Sequence, residues 1–138
     1  MGLLAQAPAG MLSELWIKLG IEPRFQWLRP PEFGGVMVRG RMGGTGALFN
    51  LGEITVTRCS LRLQDPESVG HGYVQGRDRE KARQAALIDA LMQTARAPEI
   101  RDTLLEPLAQ AMQAARSGRA ARAAATRVEF FTMVRGED

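Results

Sequence analysis

The sequence predicts an α+β protein in which an antiparallel meander sheet of about four to five strands packs with C-terminal helices. Two observations predict this class. Between residues 24 and 76, short segments that alternate apolar and polar residues are separated by turns rich in glycine and proline. From Asp78 onward, apolar residues instead recur with the spacing of one helical face.

The length of 138 residues argues for one domain, 1–138, large enough to bury a core without disulfides or metals. Within it we expect an N-terminal helix over about 9–20, a sheet over about 24–76, helices over about 78–125 and a last strand over about 127–135. No apolar run approaches the roughly 20 residues of a membrane span, and the first ten residues do not resemble a signal peptide.

The composition indicates the cellular compartment and a possible ligand class, but it does not identify a function. Cys59 is the only cysteine, which excludes an internal disulfide and a cysteine-rich metal site, and a reducing cytoplasm is expected. The net charge is +3, and 16 of the 18 basic residues are arginine. Arginine grips phosphate in a bidentate manner, although a GC-rich genome would also favour it. The composition therefore permits an anionic ligand and does not demonstrate one.

The first half of the chain predicts a helix followed by short strands. One apolar face marks the helix, and Gly20 is its expected end. Phe25 to Trp27 predicts a short strand that runs into a turn at Pro30 and Pro31, and Val36 to Met42 alternates as a strand does. The helical face comprises Met11, Leu12, Leu15, Trp16 and Leu19.

A long strand is expected from about Leu51 to Leu63. Its apolar residues change parity along the strand, with Ile54 and Val56 on one side and Leu61 and Leu63 on the other. We therefore expect a bulge or sharp twist near residues 58–60.

Residues 64–68 predict a turn, after which 69–75 form the return strand. Asp78 is the expected N-cap of a following helix. Pro98 should begin a second helical stretch, which Pro107 should kink or divide. Residues 114–125, almost all alanine and arginine, favour a helix strongly.

Two glycine-bearing segments are candidates for anion contact. The first comprises Arg41, Met42, Gly43, Gly44, Thr45 and Gly46. Bare backbone amides can surround a phosphate, but a hairpin turn with positive φ at glycine is the favoured interpretation. The segment is not a P-loop, because no Gly-Lys-Ser/Thr follows.

The second segment runs from Gly70 to Asp78 and passes from strand into helix, where Arg77 and Arg79 flank the helix start. A helix N-terminus favours anions. The glycine spacing misses the dinucleotide fingerprint, however, and Asp78 would occupy the same donors. A plain strand-to-helix connection is therefore favoured.

Other chemistry-bearing residues are isolated. His71 is the only histidine, so the usual zinc sets cannot be assembled, and we expect an exposed or hydrogen-bonded strand histidine. Cys59 is expected to be buried and structural. The C-terminal strand carries apolar residues on both faces, namely Phe130, Phe131 and Met133, so it is either a central strand or a docking strand.

Five stretches of the sequence resemble the PhnG family, whose members are subunits of the bacterial carbon–phosphorus lyase system. The resemblance runs from about Val36 to the end of the chain. The stretches are the glycine segment at 41–46, Thr-Val-Thr-Arg at 55–58, Val-Gln-Gly-Arg-Asp at 74–78, the helix at 86–93 and the ending at 127–136.

The resemblance implies an accessory subunit that is not active alone. It implies assembly with PhnH, PhnI and PhnJ, and joint action with PhnL, in phosphonate breakdown. A phosphonate oxygen attacks the ribose of ATP, adenine leaves, and a ribose 1-phosphonate 5-triphosphate forms. The nucleosidase chemistry is assigned mainly to PhnI and the radical cleavage to PhnJ. No cofactor is expected on this chain alone, and ATP with Mg is a substrate of the complex.

At the residue level, the resemblance suggests no catalytic residue and no metal ligand here. Arg41, Gly43, Gly44, Thr45, Gly46, Arg58 and Arg77 are candidates for contact with an anion or a partner. Phe130, Phe131 and Met133 are candidates for subunit docking. The alternatives are a basic nucleic-acid-binding module or a standalone metabolite-binding domain, and no membrane contact is expected.

Overall fold

The computed structural model describes residues 1–126. Three antiparallel strands form one sheet in the order β1-β2-β3, with helices before and after it, so the α+β meander is confirmed. The described part of the chain has three strands, rather than about four to five. The predicted last strand, 127–135, lies outside the described residues, as do Phe130, Phe131 and Met133.

The elements follow one another with short connections. Two helices, α1 (Gly2–Gln6) and α2 (Ala9–Leu19), precede the strands β1 (Phe25–Arg41), β2 (Leu48–Gln64) and β3 (Glu67–Gln75). Then come α3 (Arg79–Leu91), α4 (Ala97–Ile100), a π-helical turn (Arg101–Leu105) and α5 (Glu106–Ala125).

Local sequence accounts for the element ends. Helix α2 ends at Gly20, whose φ of 63° is the left-handed conformation that glycine adopts without strain. The Asp78 side chain caps α3 by accepting a hydrogen bond from Lys81 N, as the sequence predicted. Pro98 lies in the first turn of α4, and Pro107 lies in the first turn of α5, where no helical N–H is needed.

The prediction of two separate strands before Met42 is wrong, because β1 is one strand of 17 residues. Pro30 and Pro31 were expected to form a turn, yet they lie inside β1. The pairing with β2 is irregular there, with register shifts between Trp27 and Arg29 and between Arg29 and Glu32. Since β1 lies at the edge of the sheet that residues 1–126 form, a residue without an N–H is tolerated at such bulges.

Of the bulge or sharp twist expected in β2 near residues 58–60, the bulge is wrong. The pairing of β2 with β3 is continuous from Val56 to Gln64, and the irregularity opposite this stretch belongs to β1. A bulge of β2 lies instead at Leu51, because Val38 pairs with Gly52 whereas Arg39 pairs with Asn50. The parity change does not require a bulge because Ile54 is exposed, and Val56, although buried, lies outside the cluster that contains Leu61 and Leu63.

The core lies between one face of the sheet and α3. Leu61 and Leu63 of β2 and Val74 of β3 are buried on that face, and the alanines and leucines of α3 cover them. Glycines at positions 70 and 72 let the α3 backbone approach β3 closely. Leu12, Trp16, Ile100, Leu104 and Leu108 extend the same cluster to the surrounding helices.

One part of the sheet extends beyond this core. Strand β3 pairs with β2 only as far as Val56, so residues 34–55 form a hairpin to which residues 1–126 add no third strand. We call residues 34–55 the hairpin arm. None of its residues is buried.

Candidate functional site

The glycine segment at 41–46 forms the tip of the hairpin arm. Gly43 and Gly44 have φ values of 58° and 83°, which side-chain-bearing residues rarely adopt. Gly46 N donates to Met42 O at 2.8 Å, and Arg41 Nη1 donates to Gly46 O at 3.1 Å. The turn by itself therefore accounts for these glycines, as the favoured interpretation expected. Arg41 uses one donor to close the turn, and its guanidinium forms no ion pair with a carboxylate of residues 1–126.

Arg58 lies far from that tip. Its Nε donates to Glu32 Oε1 at 2.7 Å, and Arg29 Nε lies 3.7 Å from the same oxygen. Arg58 pairs with Glu32 in the register, nine residues from Arg41 on β1. Nine residues span roughly 30 Å of a strand at about 3.3 Å each. The structure therefore does not bring Arg41 and Arg58 into one binding site.

Arg77 lies at the base of the hairpin arm, where β3 leads into α3. Its guanidinium carbon is 5.6 Å from the centre of the Phe33 ring, and that of Arg79 is 4.9 Å from the same point. Both contacts are within cation–π range. Sequence reasoning missed Phe33, because nothing in the sequence pairs β1 with the start of α3. The strand-to-helix connection is confirmed, with Asp78 as the cap.

Thr57 fixes this junction to the sheet. It is fully buried in β2, donates to Gly76 O at 2.6 Å and accepts from Asp78 N at 3.0 Å. Gly76, with a φ of 90°, donates to Thr55 O at 2.8 Å. These bonds set the angle at which α3 leaves the sheet, and they thereby place Arg77 and Arg79 beside Phe33.

His71 is an exposed strand histidine with hydrogen bonds, as expected. A hydrogen bond of 2.9 Å joins its Nδ1 to Ser60 Oγ. Asp89 Oδ2 accepts from the backbone N of His71 at 3.0 Å rather than from its ring. A catalytic triad needs the carboxylate on the imidazole, so Ser60, His71 and Asp89 do not have that arrangement.

Lys81 is a buried cation that holds the first helix in place. Its Nζ donates to Ala5 O at 2.9 Å, which ties α1 to α3. Burial lowers the pKa of the Lys81 ammonium, and the nearby Asp78 opposes that shift. The lysine therefore acts as a structural link between two helices.

Cys59 is buried and structural, as predicted. Its Sγ lies 3.2 Å from Ala82 O of α3. Burial raises the pKa of the thiol from 9.0 to about 11, against the lowering effect of the hydrogen bond from the Gly72 backbone. The thiolate is the reactive form of cysteine, so this thiol is suited to packing and not to nucleophilic attack.

The raised pKa of Cys59 predicts slow alkylation. At about pH 8 iodoacetamide should leave the native thiol unmodified and label it once urea unfolds the chain. The folded pKa lies above the unfolded one, so the thiol's contribution to stability should be complete below pH 9.0 and be lost as the pH rises through about 11. Mass spectrometry of labelled samples checks the first statement. Labelling of the native chain at the rate of the unfolded chain would contradict it.

A groove of about 440 Å³ lies between α1 and α5. Its lining includes Gln6, Met112, Arg116 and Arg119 and contains no acidic side chain, histidine or cysteine. Among residues 1–126, no three histidine, cysteine, aspartate or glutamate side chains are grouped as metal ligands would be. No helix in that part of the chain has the length and apolar character needed to cross a membrane.

Comparison with known proteins gives two matches over essentially the whole chain. Residues 1–136 match the family model described as "Phosphonate metabolism protein PhnG". The chain is also 49% identical over 138 residues to a Rhizobium meliloti (strain 1021) protein named "Alpha-D-ribose 1-methylphosphonate 5-triphosphate synthase subunit PhnG". That alignment covers 100% of this chain and 88% of the relative. The family match also includes the residues before Val36, where the resemblance described above began.

Proposed function

Because the chain belongs to the PhnG family of phosphonate metabolism proteins, we propose that it is a subunit of an alpha-D-ribose 1-methylphosphonate 5-triphosphate synthase. The observation that carries this proposal is the 49% identity, over the full chain, to a protein named as a subunit of that synthase. Identity at this level over a whole domain supports a shared fold and a shared role.

The reaction we propose for the complex is a ribosyl transfer. A phosphonate oxygen forms a bond to the anomeric carbon of the ATP ribose, and the bond from that carbon to adenine breaks. Adenine takes the electron pair and a proton as it leaves, and ATP is used with Mg. The chemistry lies on other subunits, with PhnI as the main candidate, and PhnH, PhnJ and PhnL complete the set of partners. We place this complex in the cytoplasm.

Three of the described carboxylates support an accessory role, because each has a structural function. Asp78 caps α3, Glu32 pairs with Arg58, and Asp89 binds the backbone of His71. General acid–base catalysis of nucleobase departure needs a side chain that reaches the substrate and can transfer a proton to it. These three carboxylates are engaged in holding the fold.

Coexpression tests this proposal. With an affinity tag on this chain and untagged PhnH, PhnI and PhnJ, we expect a complex that survives gel filtration. Elution of the tagged chain without any of the three proteins would contradict the proposal. Binding to DNA or RNA that weakens steeply with salt would support a nucleic-acid module instead.

The same experiment tests the arginines as partner or ligand contacts. We propose that Arg41 and Arg58 lie near a partner subunit or its ligand, so Arg41→Glu and Arg58→Glu should each impair assembly or ribosyl transfer. Arg62→Glu is the matched control for Arg58, because Arg62 is half-exposed on the same strand and pairs with Glu67. Full activity and full assembly of both variants would remove this proposal. The docking role of Phe130, Phe131 and Met133 stays a separate proposal.

A further inference from the structure

The hairpin arm, residues 34–55, carries the kinds of side chain that are common in protein interfaces. It lies beyond the three-stranded part of the sheet, and none of its residues is buried in the core. In the described part of the chain, β1 and β2 pair only with each other within the arm, apart from the bond from Gly76 N to Thr55 O at its base, since the pairing of β3 with β2 stops at Val56. An isolated two-stranded hairpin is marginally stable in water. A partner surface that packs against the arm would supply the contacts that the rest of the described chain does not provide.

Large apolar side chains are concentrated on this arm. In the described part of the chain, 11 large hydrophobic residues are exposed, and six of them lie on the arm. They occupy both faces, because Ile54 pairs with Val36 whereas Met37 pairs with Glu53 on the opposite face. The six residues are Met37, Met42, Leu48, Phe49, Leu51 and Ile54.

Phe49 and Leu51 form a continuous apolar patch because of a glycine opposite them. A Cβ at Gly40 would lie 3.7 Å from the Phe49 ring and 3.8 Å from the Leu51 side chain. The glycine therefore leaves the two side chains uncovered, and Leu51 is 65% exposed. Exposed patches of this kind mark interaction sites in proteins.

The charge around the arm is positive. Arg39 and Arg41 lie on it, and Arg77 and Arg79 lie at its base beside Phe33. Glu53 is the arm's one acidic residue. None of the four arginines forms an ion pair with a carboxylate of residues 1–126. An approaching surface of negative charge would complement them.

We propose that the hairpin arm is a docking element for an apolar surface with an acidic rim on another subunit of the synthase. This inference rests on the proposed function, which requires a partner subunit. A second copy of this chain is disfavoured as the occupant, because it would bring the same four arginines against these four. The apolar residues of the arm fill the centre of the contact, and the arginines form its charged rim.

The test replaces the exposed apolar residues of the arm with serine. Coexpression of a tagged Phe49→Ser/Leu51→Ser variant with PhnH, PhnI and PhnJ should reduce the copurified partners by about tenfold or more. The control is Ile17→Ser on α2, since Ile17 is 74% exposed and lies off the arm. The control should retain the partners at the level of the unmodified chain. Equal melting temperatures of the isolated variants show that folding is unchanged.

A charge-reversal variant tests the docking proposal independently. Arg39→Glu should also weaken copurification, and added salt should weaken binding of the unmodified chain, whereas Arg101→Glu, exposed on the π-helical turn, should do neither. If the Phe49→Ser/Leu51→Ser variant unfolds, the Arg39→Glu variant and the salt dependence still test whether the arm docks on the partner.

Three outcomes would overturn the inference. Retention of the partners by both arm variants would remove the arm as the docking element while leaving the proposed function intact. An isolated chain that dimerises through residues 49 and 51 would identify a second copy as the occupant. Failure of the unmodified chain to copurify with any of the three proteins would overturn the proposed function and this inference with it.

Discussion

Replacing Gly72 with alanine should destabilise the chain by more than about 3 kcal/mol, because the added methyl group has no room and its neighbours are backbone atoms. A Cβ at Gly72 would overlap Ala82 O of α3 and lie 2.9 Å from Cys59 Sγ. Gly70 faces the same helix two residues earlier, where a Cβ would overlap Ala86 O. Neither carbonyl can move without shifting α3 away from the sheet. Urea denaturation followed by far-ultraviolet circular dichroism measures the effect.

Gly34→Ala provides the matched control for Gly72→Ala. Gly34 is also a strand glycine, but a Cβ there meets no atom within 4 Å. Its replacement should change the free energy of unfolding by less than about 1 kcal/mol. Equal stability of the Gly72→Ala and Gly34→Ala variants would show that α3 does not pack on β3 as closely as described.

Leu61→Ala should cost about 2–5 kcal/mol, the usual range for a leucine removed from a packed core. Leu61 is fully buried in β2, opposite Trp27 on one side and Gly70 on the other. Truncation removes apolar contacts and leaves a cavity that the flanking strands cannot close. The midpoint of urea denaturation should fall while the slope of the transition stays the same.

Leu51→Ala is the control for Leu61→Ala, since it is the same substitution ten residues earlier on the same strand. Leu51 is 65% exposed on the hairpin arm, so its loss should change stability by no more than about 0.5 kcal/mol. A large effect at Leu51 in the isolated chain would place the arm in the core and contradict its role as a docking surface.

The sequence predicted most of the secondary structure because hydrophobic spacing reports directly on one buried face. The helical spacing of the apolar residues after Asp78 predicted α3, and Asp78 itself predicted the start of that helix. The glycines at 43, 44 and 46 predicted a hairpin tip, since positive φ at two successive positions has few other causes. The buried character of Cys59 followed from its place in the middle of a strand.

The sequence-based predictions failed where the structure depends on contacts between segments that are distant in the sequence. Pro30 and Pro31 predict a turn only if the strand needs their N–H groups, and β1 is an edge strand in the described part of the sheet. Ile54 and Val56 suggested a bulge because both were assigned to one core, whereas Ile54 lies on the hairpin arm. The arm itself was not predicted, because alternation cannot show where β3 stops.

The sequence supplied candidate residues for the site, which stay a prediction, but it did not supply their arrangement. Arg41, Arg58 and Arg77 were each chosen for their chemistry, and the structure separates Arg41 from Arg58 while placing Arg77 beside Phe33. Gly70 and Gly72 were considered as parts of an anion loop. The structure assigns them to helix–sheet packing, which a close backbone approach requires and sequence spacing alone does not reveal.

Adenine release from ATP and methylphosphonate tests most directly whether this chain is a supporting subunit of the synthase. Purified PhnH, PhnI and PhnL should form ribose 1-methylphosphonate 5-triphosphate only when this chain is added, and the chain alone should release no adenine. An unchanged rate of product formation without this chain, or adenine release by the chain alone, would contradict that role.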